Sequence, residues 1–455
     1  MNKQLSLISL IVALLVGVIF FPENVIGLLI TTALSVGVVY TISQNVRDLK
    51  TQSFLIRLFI AAILVRVGLA IIIFGLDLQD KFGPDALYYD FIGKIASDYW
   101  WGLTPSADLN VSANGWGMPY IVGIIYFLTG QNPLTVQLIV CVLGAITVIL
   151  AYYCSQEIFQ NTRVARYTAI FIAFFPSMVI WTSQGLKDGF IIFFLVLALL
   201  SALYLQKGFN YFWVLSLLIS LLAISSLRFY IFFMLTAAIA GGFVLSVRSS
   251  SKSLLTRFAI CAVIGLAFSS LGVLDVSEQQ ADKYVSFARL QSSRDWASKA
   301  ADSGIKDTTD VSTASGALSA LPLGLLTLYL APFPWQIGNI TQGLTMPEMI
   351  IWWCGLPFLF SGIVYSIRHR LRESISVLFF VLILSLSYAV YQGNVGTLYR
   401  QRAQIQVFLL FFIAAGFTLT LEKMESGKVK RRAPNFPIRF PQARYCPNWL
   451  RRWFY

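Results

Sequence analysis

The sequence predicts an all-α, polytopic integral membrane protein of about twelve transmembrane helices, with surface helices in its outer loops. Three observations carry this. Hydrophobic residues make up 57% of the 455 positions and charged residues only 12%, for a mean hydropathy of +0.73, outside the range of a soluble domain. Apolar runs of about 17–25 residues recur along the chain, each long enough to cross a bilayer core as a helix. The short alternating segments of a transmembrane barrel do not recur.

In order, spans are expected at 5–22, 25–43, 53–76, 132–154, 164–182, 188–206, 211–227, 229–247, 254–274, 347–367, 374–391 and 403–421. The first reads as an uncleaved span, because no small-residue cleavage site follows it. The run 116–130 is short and interrupted by Gly117 and Pro119. The run 317–335 ends in Ala331-Pro332-Phe333-Pro334-Trp335, a rigid turn whose prolines lack backbone donors. Both read as helices lying on the outer surface or dipping in; if both crossed, the count would be fourteen. The segment 275–316 has little apolar periodicity and reads as a loop that closes over a site or is simply solvated. The chain then divides into two extra spans (1–52), a core membrane domain (53–274) with a catalytic outer loop at 77–130, an outer loop and interfacial segment (275–346), C-terminal spans (347–421) and a basic tail (422–455).

Orientation follows from Lys and Arg in short loops. Arg47 and Lys50, Arg163 and Arg166, Lys207, Arg248 with Lys252 and Arg257, Arg368 with Arg370 and Arg372, and the tail beyond 421 all fall on one side of a twelve-span arrangement. That side is expected to be cytoplasmic, with both termini inside. The net charge of +13 then needs no nucleic acid: a basic tail beside a span is drawn to anionic membrane lipids. The five cysteines are scattered without paired spacing, and one histidine, His369, is present, so neither a disulfide framework nor a His-based metal site is indicated. No phosphate-binding loop or dinucleotide fingerprint appears.

The candidates gather on the outer side. Gly83-Pro84-Asp85-Ala86-Leu87-Tyr88-Tyr89-Asp90 follows a span directly, and carboxylates beside a bilayer are costly without a task. Tyr88, Ile92, Ile95 and Tyr99 recur at helical spacing, so 85–99 reads as an amphipathic surface helix. Asp85 either caps that helix or serves as a general base at a cavity mouth; Asp90 reads more simply as part of a solvated face. Lys187-Asp188 either anchors a span end or joins Asp85 in a site. Arg228, Arg400 and Arg402 break the positive-inside trend, and either reach lipid head groups or bind an anionic substrate, for which Arg offers a planar fork. Arg66 lies inside a span, about 20 Å from its inner end, and needs a partner such as Asp77, Asp188 or a lipid phosphate.

The order of these features resembles the GT-C class of membrane glycosyltransferases, the group of protein O-mannosyltransferases and aminoarabinose transferases. An acidic outer loop is followed by an apolar surface helix with Gly117-Met118-Pro119-Tyr120. A span ending in a basic turn comes next, then Pro176 and the acid-bearing turn at Lys187-Asp188. The resemblance covers roughly residues 53–210, with weaker support to 421. It implies a polyprenyl-phosphate-linked sugar as donor, a glycan, lipid or protein acceptor, and a bacterial inner-membrane location. It implies Asp85 as the catalytic acid of the first outer loop and Asp188 as the second. Arg228, Arg400 or Lys187 would stabilise the departing lipid phosphate, with Arg402 and Arg66 as further substrate-binding candidates; Tyr88, Tyr89, Trp100, Trp101 and Trp116 would stack on sugar, unless they are belt aromatics. No tight Asp-Glu or Asp-x-Asp pair stands beside Asp85, so no cofactor is certain and a divalent metal stays open. A polymerase or ligase acting on lipid-diphosphate glycans, and a flippase of lipid-linked saccharide, are the rival readings.

Overall fold

The computed structural model describes residues 22–104, 116–245, 286–299, 309–336, 343, 345–391 and 393–432. Every element among them is helical. A 3₁₀ turn, Pro22–Asn24, leads into α1 (Val25–Asn45), α2 (Leu49–Gly75), the short α3 (Gln79–Phe82), α4 (Asp85–Trp100), α5 (Gly117–Thr129), α6 (Pro133–Phe159), α7 (Thr162–Phe174) and α8 (Pro176–Trp181). Then come α9 (Lys187–Leu205), α10 (Tyr211–Leu227), α11 (Phe229–Leu245), α12 (Phe287–Lys299), α13 (Ala314–Leu330), α14 (Met346–His369), α15 (Leu371–Tyr391) and α16 (Val395–Arg432).

Among the described residues, seven helical segments are long and apolar enough to cross a membrane: Pro22–Asn45, α2, α6, α9, α14, α15 and Val395–Ser426. The segments α5, α10, α11 and α13 are apolar but shorter. The predicted spans 5–22 and 254–274, and the tail beyond 432, lie outside the described residues. The surface helix expected at 85–99 is α4, but its buried face is Tyr89, Ile92, Gly93, Ala96 and Ser97, while Tyr88 and Tyr99 are exposed. The apolar stripe is therefore one position off the expected phase, because α5 packs on the small residues of α4. Within 275–316, expected to be a loop, residues 287–299 are helical.

Local sequence sets the helix ends. Asp48 accepts from the amides of Lys50 and Thr51 at the start of α2. Asn132 caps α6, with Pro133 in its first turn, and Asn161 caps α7. Each side-chain oxygen satisfies an amide that has no partner inside its own helix. The core runs through α6, α9 and α16, which are mostly buried. α6 packs against α1, α2, α7 and α9, and α16 packs against α7 and α14.

One expected span is broken. The run 164–182 is two helices, α7 and α8, meeting at Phe175 and Pro176. Proline lacks the amide that would bond Ile172 O, and it forces Phe175 into an extended conformation, ψ 127°. Arg66 repairs the break. Its Nη2 donates to Ile172 O (3.2 Å), its Nη1 to Ala173 O and Ala62 O (3.0 Å each), and its Nε to Thr182 Oγ1 (2.8 Å). Arg66 is thus bound to neither Asp77 nor Asp188, the protein partners expected from the sequence; its donors go to the backbone around the break and to Thr182. A Cβ on Gly144 would stand 2.6 Å from Thr182 and 2.8 Å from Arg66 Nε, so glycine lets α6 approach this repair. Arg66→Met is expected to lower the unfolding midpoint in detergent clearly, since each buried carbonyl left unsatisfied costs about 1–3 kcal/mol. An unchanged midpoint would show that the carbonyls find other donors.

Candidate active site

Four helix ends converge on one charged cluster. Asp85 is the first residue of α4, Lys187 and Asp188 open α9, Arg228 follows the last turn of α10, and Arg400 lies in the second turn of α16. Asp188 is fully buried, and both of its oxygens are occupied. Oδ1 accepts from Arg228 Nη2 (3.2 Å) and Gln404 Nε2 (3.1 Å). Oδ2 faces Arg400, with Nε at 2.7 Å and Nη2 at 2.6 Å. Its place in the first turn of α9 adds the helix dipole to these cations. Arg400 extends its remaining arm, Nη1, to Asp85 Oδ2 at 2.7 Å, and its guanidinium lies over the Trp181 ring.

Asp85 differs from Asp188 in every respect that matters chemically. Its side chain is 48% exposed and Asp188's is 0%. Pro84 occupies the cap position of α4, with no side-chain cap bond, so the capping role considered from sequence is not the one Asp85 plays. Asp188, expected as a second catalytic acid, has both oxygens engaged by protein donors and fixes two arginines. Lys187 lies with its ammonium 5.9 Å from the Tyr89 ring centre. The Tyr89 phenol is pushed above its ordinary pKa, first by burial and then by Asp85, so it stays protonated. Three cations against two carboxylates leave the cluster net positive, an arrangement suited to an anion.

Several expected residues stand elsewhere. Arg402, two positions after Arg400, points to the other side of α16. It is fully buried, donates to Ala331 O (2.9 Å) and lies 3.9 Å from Glu348 Oε1. Its guanidinium sits over the rings of Tyr399 and Trp352. It ties α13 and α14 to α16 and makes no contact with the Asp85–Asp188 cluster. Tyr88 is exposed and meets Tyr89 edge-on; Trp116 is exposed and meets Tyr120 edge-on at the start of α5. Asp90 is not a solvated carboxylate: Tyr126 donates to it and Lys94 pairs with it at 2.7 Å. Burial and Asp90 together raise the Tyr126 phenol, which keeps its proton for that bond. These two residues line a separate cavity of about 280 Å³ beneath α4, with Asp77, Gln79 and Gln137.

Sequence reasoning missed the residues that frame the cluster. Arg228 Nη1 donates to Tyr230 (3.0 Å), whose hydroxyl meets that of Tyr388 (3.4 Å); Tyr388 donates to Gln404 Oε1 (2.6 Å), and Gln404 returns to Asp188. The result is a closed ring of polar contacts. Tyr230 and Tyr388 also line an apolar groove of about 540 Å³ between α11, α12, α13 and α15. Glu348 was missed as well: buried in the first turn of α14, it accepts from Ser177 and Tyr399. The signal for both was a polar residue inside an apolar run, which must face a partner.

Among the described residues, no three Asp, Glu, His or Cys side chains are grouped to hold a metal ion. The Arg400 guanidinium stands between Asp85 and Asp188. The donor set therefore does not fit a divalent cation.

Residues 115–272 match the family of dolichyl-phosphate-mannose-protein mannosyltransferases. The match bears out the resemblance to GT-C glycosyltransferases. It contains Lys187, Asp188 and Arg228; Asp85 precedes it and Arg400 follows it. No curated protein sequence matches the chain. Among solved structures, the chain is similar to the archaeal oligosaccharyltransferase AglB from Archaeoglobus fulgidus in complex with an inhibitory peptide and a dolichol-phosphate. That similarity has a TM-score of 0.48 and 15% identity, over 87% of this chain and 53% of that one. It is also similar to ArnT from Cupriavidus metallidurans bound to undecaprenyl phosphate, with a TM-score of 0.46 and 12% identity over 79% and 66% of the two chains. The chain thus spans about half the length of the oligosaccharyltransferase. It is a polytopic, helical integral membrane protein.

Proposed function

We propose that the chain is a membrane glycosyltransferase that moves a sugar from a polyprenyl-phosphate donor to an acceptor hydroxyl at the outer face of the membrane. One observation supports this above the others: the net-positive cluster adjoins an apolar groove through Tyr230 and Tyr388. A ligand with an anionic head and a long hydrocarbon tail matches both parts at once. No nucleotide sugar is available outside the cell, so an activated sugar there travels on a lipid.

In this reading the acceptor hydroxyl attacks the anomeric carbon, and its proton passes to Asp85. The bond from that carbon to the lipid-phosphate oxygen breaks with inversion, and the bonding pair leaves with the phosphate. Arg400, Arg228 and Lys187 stabilise the departing charge, an electrostatic contribution that is often the largest single one in such transfers. Asp188 holds the two arginines in place.

Lipid extracts of a strain lacking the protein test the donor class. A polyprenyl-linked sugar is expected to accumulate; an unchanged lipid pool would remove the donor assignment. Arg400→Lys keeps the charge and loses the fork that spans Asp188 and a phosphate. It is expected to weaken binding of undecaprenyl phosphate about tenfold, the loss of one charge-assisted hydrogen bond. Arg402→Lys is expected to lower the unfolding midpoint and leave that affinity intact. Wild-type affinity in Arg400→Lys would leave the phosphate clamp without support.

A further inference from the structure

We propose that the Asp85–Arg400 ion pair is a latch that the donor's phosphate opens, releasing Asp85 as a base only when donor is bound. The inference rests on the glycosyltransferase reading above and goes beyond it. As the site stands, its best base and its best phosphate ligand are bonded to each other at 2.7 Å. The Asp85 oxygen that accepts from Arg400 is occupied for as long as that contact lasts. While the contact lasts, Arg400 Nη1 and Asp85 Oδ2 serve each other; a phosphate that takes Nη1 frees Oδ2 for the acceptor.

The geometry says which end yields. Arg400 is held to Asp188 through Nε and Nη2, and Asp188 is fully buried with Arg228 and Gln404 as further partners. Moving that end would leave buried charge unpaired. The other end is a single Nη1 contact to Asp85, which is half exposed, carries no capping bond and sits at the start of a surface helix. A phosphate offers two or more oxygens to the same guanidinium edge and competes well against one carboxylate oxygen. Asp188 keeps Arg400 in place during the exchange, so the arginine changes partner at Nη1 without leaving the site. No bond is made or broken in this step; the proton transfer to Asp85 follows it.

Affinity for undecaprenyl phosphate, measured by native mass spectrometry on four full-length proteins, tests the latch: wild type, Asp85→Ala, Arg400→Gln and the double variant. A pair of this exposure is weak, so removing the competing carboxylate is expected to tighten binding about two- to fivefold. The gain should vanish in the Arg400→Gln background, because Asp85 then has no arginine to withhold. Equal tightening in both backgrounds would mean simple removal of negative charge, and unchanged or weaker binding by Asp85→Ala would mean no competition; either result overturns the latch. Absence of binding by the wild-type protein would overturn the lipid-phosphate reading and the latch with it, whereas binding indifferent to Asp85 removes the latch alone.

Discussion

Asp85→Asn is expected to slow sugar transfer by about 10²–10⁴-fold, the usual contribution of a positioned general base, with an unfolding midpoint close to wild type. Asparagine keeps the size of the side chain and an oxygen that can still accept from Arg400, but it cannot take a proton. The fold has little at stake here. Asp85 is half exposed, and its pair with Arg400 is of a kind that contributes at most about 1 kcal/mol. A residue that merely complemented the α4 dipole would contribute up to about 1 kcal/mol to stability and nothing to the proton transfer. Transfer measured on purified protein decides between these. A variant retaining more than a tenth of the wild-type rate would reduce Asp85 to a helix-start acid and require another base.

The membrane class and most helix positions were legible from composition and run length, because hydrocarbon imposes one requirement on every residue of a span. The phase of a helix was not. Arg400 and Arg402 are both cations at the head of the same span, yet two positions on a helix are about 200° apart. Sequence therefore says that they face different ways, but not which one faces the site. Tertiary packing decides: the Leu328 and Ala331 carbonyls and Glu348 take Arg402, leaving Arg400 to the acids. Arg66 shows the same limit. An intramembrane arginine demands a partner, and the partners it found are backbone carbonyls around Pro176, a break that leaves no mark in hydropathy. Lys187-Asp188 and Asp85 were visible as charges beside spans. Their division of labour was not, since it follows from burial: one acid is enclosed by donors and the other is open.

That division leads to the opposite expectation for Asp188→Asn. Asp188 accepts from Arg228, Gln404 and Arg400 while fully buried. Asparagine would keep one acceptor oxygen and turn an NH₂ group toward a guanidinium, leaving buried Arg228 without a counter-charge and Arg400 with only the half-exposed Asp85. Removing one partner of a buried ion pair typically costs about 3–5 kcal/mol, so the unfolding midpoint should fall markedly. Donor affinity and transfer rate should fall together, because Arg228 and Arg400 lose the group that aims them. Asp85→Asn should instead separate these quantities, losing rate with donor affinity kept or tightened. Gln404→Leu offers an intermediate case: it removes one of the donors to Asp188 Oδ1 and opens the ring through Tyr388, while the ion pairs to both arginines stay in place. It should weaken donor binding less than Asp188→Asn does. The deciding comparison is thermal unfolding beside donor affinity in the three variants. An Asp188→Asn protein with a wild-type midpoint, wild-type donor affinity and a collapsed rate would mean that Asp188 itself handles a proton.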